Sequence, residues 1–228
     1  MFTYELSPLG ETAVRVVLGT GIDPDIHRKV KTLSEYLDRN PFPGMIEYIP
    51  SFSSVTVLYN PMESSFDTVS VFFREASNQI QESTQYVPKT VEIPVCYGGE
   101  FGPDLEFVAE QNGLSVEEVI KIHSEAEYLV YMIGFAPGFP YLGGMSERIA
   151  TPRRSSPRIS IPAGSVGIAG SQTGVYPIET PGGWQLIGRT PLALFRPNES
   201  PPSLLQAGDV IRFRPITLEE YKQYGRNG

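Results

Sequence analysis

Three arginines, a glutamate and a glutamine stand out because they sit in or beside sequence that otherwise carries almost no charge. Arg153, Arg154 and Arg158 form the densest positive run of the chain. A guanidinium grips a carboxylate or a phosphate through two parallel hydrogen bonds, so this run is a candidate anion holder. The plainer alternative is an exposed basic loop after a turn. From Ile159 to Gly188 the one charged residue is Glu179. A carboxylate in apolar surroundings is costly unless it is paired. Glu179 is therefore either the ion-pair partner of an arginine or a general base with a raised pKa. Gln172, in GSQTG, is either a hydrogen-bond donor to a bound group or a turn residue bonded to backbone.

These residues are embedded in an unusual stretch, Gly134 to Arg189, which holds 11 of the 22 glycines. Glycine here is not linker filler, because it alternates with Phe135, Phe139, Tyr141, Trp184 and a run of Val, Ile and Leu. Dense Gly and Pro within apolar β-type sequence implies tight turns, bulges and close backbone approach. Such a stretch reads as the packed wall of a barrel or cleft. Phe135, Phe139, Tyr141 and Trp184 then line the cleft, or else are ordinary core; Trp184, between Gly183 and Gln185, is the best candidate for a wall.

The rest of the 228 residues bounds the chemistry. A net charge of -8 argues against a nucleic-acid binder. The single cysteine, Cys96, excludes an internal disulfide and a four-thiolate zinc site, and suits a reducing cytoplasm. No metal site is expected, since Asp and Glu are scattered rather than set at ligand spacing. The N-terminus, MFTYELSPLGET, lacks the pattern of a signal peptide, and no run approaches 18 apolar residues. Gly164, Gly167, Gly170 and Gly174 do not match GxGxxG, and GxxxxGK[ST] is absent. Ser-His-Asp catalysis has only His27 and His123 to draw on and no nucleophile elbow.

Two folding units must position these residues, with a boundary near residue 87. In 1–87 the pattern reads strand, strand, helix, strand, strand, helix. Strands are expected at Tyr4–Ser7, Ala13–Leu18, Met45–Ile49 and Ser54–Tyr59. The first helix starts at Asp23-Pro24, an N-cap and first-turn proline, with Ile26, Val30, Leu33 and Leu37 on its apolar face. The second runs from about Ser65 to Ser83. Two helices on one face of an antiparallel sheet make an α+β sandwich. His27 is expected on the solvated face of the first helix. In 88–228, strands are expected at Val91–Tyr97, Tyr128–Ile133, Leu192–Phe195 and Val210–Arg214. Helices are expected at Asp104–Asn112, after the capping box of Ser115 and Glu118, and at Thr217–Tyr224 ended by Gly225. Many short strands with Gly/Pro turns indicate a closed β-barrel.

The strings CYGGEFGPDLEFVAEQNGLSVEEVIKIHS, GFAPGFPYLGGM, TPRR, IPAGSVGIAGSQTGVYP and TPGGWQLIGRTPLALF resemble the allophanate hydrolase subunit 1 family. Members are also called 5-oxoprolinase B subunits, and one branch is the Kip-type inhibitor of a sporulation histidine kinase. The resemblance covers nearly all of residues 90 to 196. It implies an α+β N-terminal domain and a cyclophilin-like β-barrel C-terminal domain. It implies one subunit of an ATP-dependent 5-oxoprolinase that opens the lactam of 5-oxoproline to glutamate. Its companions would be a homologous barrel subunit, of the allophanate hydrolase subunit 2 type, and a third subunit. The alternatives it carries are blocking a histidine kinase's autophosphorylation, or a related allophanate or urea-pathway amidohydrolase subunit.

Opening an unstrained lactam needs its oxygen activated, a water delivered and its carboxylate held, and ATP coupling suggests a phosphorylated amide oxygen. On that chemistry the expected catalytic set is His123, Arg154, Gln172 and Glu179. The expected substrate-binding set is Phe135, Phe139, Tyr141, Arg153 and Trp184. Gln172 would donate to the amide oxygen. His123 lies within the resembling strings, which supports a site role; its plain alternative is a satisfied structural histidine. ATP is used by the complex, and its site is not locatable in this chain.

Overall fold

The structure, a computed structural model, describes residues 3–80 and 88–224. Contacts divide the chain into two compact units, Met1–Val87 and Pro88–Gly228.

The first unit comprises β1 (Glu5–Pro8), β2 (Ala13–Val17), α1 (Pro24–Arg39), β3 (Met45–Pro50), β4 (Ser54–Tyr59) and α2 (Phe66–Gln79). Its strands form one antiparallel sheet in the order β1-β2-β4-β3. Val14 faces Val57 and Val16 faces Val55 across the β2–β4 pair, and all four are fully buried. Because side chains alternate along a strand, these four share one face. Val30, Leu33 and Leu37 of α1 and Val69 and Phe73 of α2 join them in a single core. Each such side chain stabilises the unit by roughly 1.5–3 kcal/mol. α1 begins as the sequence predicts: the Asp23 carboxylate accepts from the Asp25 and Ile26 amides at 2.8 and 3.1 Å, with Pro24 at the first helical position.

His27 departs from expectation. It is 5% exposed, because the buried stripe of α1 runs through 27, 30, 33 and 37 and leaves Ile26 half-buried. Burial first, and the Lys31 charge second, push its imidazole down to about 4. The expected tail of α2 beyond Ile80, to Ser83, lies outside the described residues.

The second unit comprises β5 (Thr90–Tyr97), α3 (Leu105–Asn112), α4 (Val116–Glu125), β6 (Glu127–Ile133), β7 (Pro140–Gly143), β8 (Arg158–Ile161), β9 (Ser165–Ala169), β10 (Gln172–Val175), β11 (Thr180–Gly182), β12 (Gln185–Arg189), β13 (Val210–Pro215) and α5 (Leu218–Tyr224). Seven strands form one sheet in the order β10-β9-β12-β5-β13-β6-β7, with β13 and β5 parallel and the other neighbours antiparallel. The two end strands lie beside each other. A Cβ on Gly174 of β10 would stand 3.0 Å from the Phe139 ring and 3.4 Å from the Pro140 carbonyl of β7. The sheet is therefore a nearly closed barrel, filled by Ile93, Val130, Val166, Ile168, Ile187 and Ile211. β8 and β11 form a separate two-stranded ribbon.

α4 carries the expected capping box, with the Ser115 amide donating to Glu118 at 2.8 Å and the Glu118 amide to the Ser115 hydroxyl at 3.2 Å. The strand expected at Leu192–Phe195 is not formed. Thr190 turns the chain by accepting from the Leu192 amide at 3.2 Å, and the segment pairs through one isolated bridge, Phe195 with Ser203. Pro201 and Pro202, on the facing segment, carry no amide with which to extend a ladder. Gly225 lies outside the described residues.

Candidate functional site

The apolar part of the site is a ring cluster built around Phe139. Its ring meets those of Phe135, Tyr141, Tyr176 and Trp184 edge-on, at centroid distances of 5.4, 5.2, 5.5 and 5.7 Å. Edge-to-face pairs of this kind add about 0.5–1.5 kcal/mol each beyond burial. The five rings and Arg153 line an open cleft of about 310 Å³. The structure thus brings Phe135, Phe139, Tyr141, Arg153 and Trp184 together. Tyr176 joins them, although nothing in the sequence marks it for the cleft. Burial pushes its phenol up to about 12, against the pull of a backbone hydrogen bond at Trp184 and the charges of Arg153 and Arg158, so it is a neutral donor at pH 7. Gly182 makes room for it: a Cβ there would stand 2.6 Å from the Tyr176 hydroxyl and 2.8 Å from Ile161.

The β6–β7 loop sets the mouth of the cleft. Ala136-Pro137-Gly138-Phe139 closes with Phe139 N–H on Ala136 O at 3.0 Å and Gly138 at φ 80°, the turn in which proline leads and glycine supplies positive φ. Just before it, the Ala136 amide donates to Gly134 O at 2.7 Å with Phe135 at φ 65°. This is the strained form of the three-residue turn. Among the described residues Phe135 is the one non-glycine with positive φ, and it is 65% exposed. The turn places a large ring at the cleft.

The polar part is organised by Asp104, at the start of α3. Its Oδ1 accepts from Arg158 at 2.9 Å and from Arg154 at 3.1 Å, and its Oδ2 accepts from the Leu186 amide at 2.7 Å. The Arg154 amide is itself bonded to Gly183 O at 2.8 Å. One buried carboxylate therefore ties Arg154 and Arg158 to the Leu186 amide of β12. Arg154 and Arg158 share that carboxylate, whereas Arg153 forms no ion pair among the described residues.

His123 lies elsewhere, fully buried inside the barrel. Its Nδ1 is 2.7 Å from the Tyr97 hydroxyl and its Nε2 2.8 Å from the Thr173 hydroxyl, and its ring stacks on Phe213 at 4.5 Å. Thr173 donates to Gly167 O at 3.1 Å, so it must accept from His123. The proton then sits on Nε2, and Nδ1 accepts from Tyr97. Burial pushes the imidazole down to about 3 and the Tyr97 phenol well above its ordinary range. This is a satisfied structural histidine with no nitrogen to spare for a substrate. Gln172 opens β10 beside the Gly170-Ser171 turn and does not line the cleft. Glu179 is exposed and accepts from the Ser160 hydroxyl across the ribbon at 2.8 Å. It forms no ion pair with an arginine among the described residues. Among those residues no cluster of three His, Cys, Asp or Glu could hold a metal, and no helix is long and apolar enough to cross a membrane.

A near-closed barrel joined to an α+β unit, with a conjoined aromatic cleft and arginine run, belongs to a known class. Residues 4–205 match the family model described as carboxyltransferase domain, subdomain C and D, and the chain belongs to that family. Within it, the chain is similar to the 5-oxoprolinase B subunit of Bacillus subtilis (strain 168), at 55% identity over 97% of this chain and 96% of that one. It is 45% identical to the 5-oxoprolinase B subunit of Escherichia coli O157:H7, over 91% and 94% of the two chains. Among solved structures it is similar to a conserved uncharacterized protein from Pyrococcus horikoshii, at 48% identity and a TM-score of 0.57, over 95% of this chain and 100% of that one.

Proposed function

We propose that this chain is the B subunit of an ATP-dependent 5-oxoprolinase, the assembly that opens 5-oxoproline to glutamate. The observation that carries the reading is likeness at 55% identity, end to end, to a protein of that name. The cleft fits the chemistry: 5-oxoproline is a small flat ring, and five aromatic side chains with one cation line a hollow of about 310 Å³. Arg153 faces the lactam oxygen, where negative charge grows as the amide is activated. Tyr176 supplies a neutral hydroxyl beside it. Arg154 and Arg158 act with Asp104 to hold the segment that presents Arg153.

The reading includes a homologous barrel subunit and a third subunit as partners, and a cytoplasmic location. It also takes 1–87 and 88–228 as two domains, the second a cyclophilin-like barrel; the two contact units and the near-closed sheet support this. The test is reconstitution from purified subunits. Hydrolysis of 5-oxoproline is expected to need this chain, and turnover that persists when it is left out would end the proposal.

A further inference from the structure

Arg153 is the one residue shared by the aromatic cleft and a second recess. That recess, about 440 Å³, is lined by Asp104, Phe107, Arg153, Arg154, Ser155 and Gln185. Its charge is unusual for a chain of net charge -8. Arg153, Arg154 and Arg158 bring three positive charges to the neighbourhood, and Asp104 is their one carboxylate partner among the described residues. Two positive charges are left over.

Asp104 is already counted in that balance as its one negative charge: Oδ1 accepts from the two arginines and Oδ2 from the Leu186 amide. Arg154 spends one N–H on that carboxylate at 3.1 Å, out of the five a guanidinium carries. Arg153 meets no carboxylate, and the Ser155 hydroxyl has no protein partner among the described residues. Gln185 is turned to the backbone, its amide donating to Pro152 O at 2.9 Å. The recess therefore offers two guanidiniums and a hydroxyl, all donors. A carboxylate carries one charge and two acceptor oxygens. A phosphoryl group carries close to two charges and three acceptor oxygens, which matches the surplus.

We propose that this recess binds a phosphoryl dianion, held by Arg153, Arg154 and the Ser155 hydroxyl. Arg153 then stands between the phosphoryl group on one side and the ring cleft on the other. That placement suits transfer of the terminal phosphoryl group of ATP to the lactam oxygen: the bond from phosphorus to the bridging oxygen breaks, ADP leaves with that electron pair, and a new P–O bond forms to the lactam oxygen. Phosphate binding rests on the recess alone; its part in 5-oxoproline cleavage rests on the function proposed above.

The test is calorimetric titration of the full chain with inorganic phosphate at fixed ionic strength, with chloride as the balancing salt. Saturable binding is expected, weakened about tenfold in Arg153→Gln and less in Ser155→Ala, which corresponds to about 1.4 kcal/mol for the arginine. Both side chains are exposed, so neither substitution removes core packing. A competition arm with ATP identifies the source. Displacement of phosphate by ATP assigns the recess to the nucleotide's phosphates; no displacement assigns it to the group after transfer. Both outcomes need the phosphate signal. No saturation below about 10 mM phosphate, or equal affinity in parent and Arg153→Gln, overturns the proposal. An inactive reconstituted complex in which this chain still binds phosphate would instead remove the functional reading and leave this site standing.

Discussion

Replacing Asp104 tests the frame of the polar site, because one carboxylate is asked to hold three donors. In Asp104→Ala the Leu186 amide, in the barrel wall, loses its acceptor, at a cost of about 1–3 kcal/mol. Arg158, 23% exposed, loses its one charged partner among the described residues, and the partial desolvation it had already undergone is no longer offset. Arg154, at 37% exposure, turns to water and contributes little. These losses overlap, and a net destabilisation of about 3 kcal/mol is expected. Asp104→Asn keeps an acceptor for Leu186 while removing the charge, so about half that loss is expected. Trp184 is the chain's single tryptophan and lies in the same unit, so its fluorescence during urea unfolding follows the right transition. At a slope near 2 kcal/mol per M, the Asp104→Ala midpoint falls by about 1.5 M. A loss below about 0.5 kcal/mol in Asp104→Ala would refute the idea that this carboxylate organises the arginine run.

Two further outcomes follow from the packing. Both histidines are pushed down by burial, His123 to about 3 and His27 to about 4, so neither should titrate in the folded chain above about pH 5 when its imidazole resonances are followed by NMR. The unfolded chain takes up those protons below about pH 6.5, so stability is complete above that pH and falls as pH drops from about 6.5 toward 4 for His27 and toward 3 for His123, by at most about 1.4 kcal/mol per pH unit for each histidine. A native titration near the ordinary imidazole value of about 6.5 would contradict this. Gly182→Ala places a methyl 2.6 Å from the Tyr176 hydroxyl. It should cost about 1–3 kcal/mol in urea unfolding and displace that ring from the cleft. An unchanged midpoint would mean the wall is looser than the structure describes.

Local signals are legible in the sequence, and long-range ones are not. The Asp23-Pro24 start of α1 and the Ser115–Glu118 box involve neighbours no more than three residues apart, and both form as spacing predicts. The aromatic residues stand out because they interrupt a glycine-rich, uncharged stretch, and the barrel gathers them around Phe139. Asp104 gives no such signal: its arginine partners lie 50 and 54 residues further on, and an aspartate before a helix reads as an ordinary cap. His123 looks like chemistry in sequence because histidines are scarce. Its partners, Tyr97 and Thr173, meet it only once the barrel closes. Glu179 is a lone charge in sequence, but loneliness in sequence is not burial: the β8–β11 ribbon carries it to the surface beside Ser160. His27 differs from its expected setting by a single position on the helix, since residues 26 and 27 both lie near the edge of the apolar stripe.

In the proposed reaction Arg153, at the wall shared by the two hollows, acts on the reacting amide. This is tested by the turnover number of the reconstituted complex carrying Arg153→Gln, at saturating 5-oxoproline and ATP. Loss of a charged donor at a developing oxyanion predicts a fall of about a hundredfold or more, with partial recovery in Arg153→Lys. An assembled complex whose turnover stays within about twofold of the parent would contradict the account.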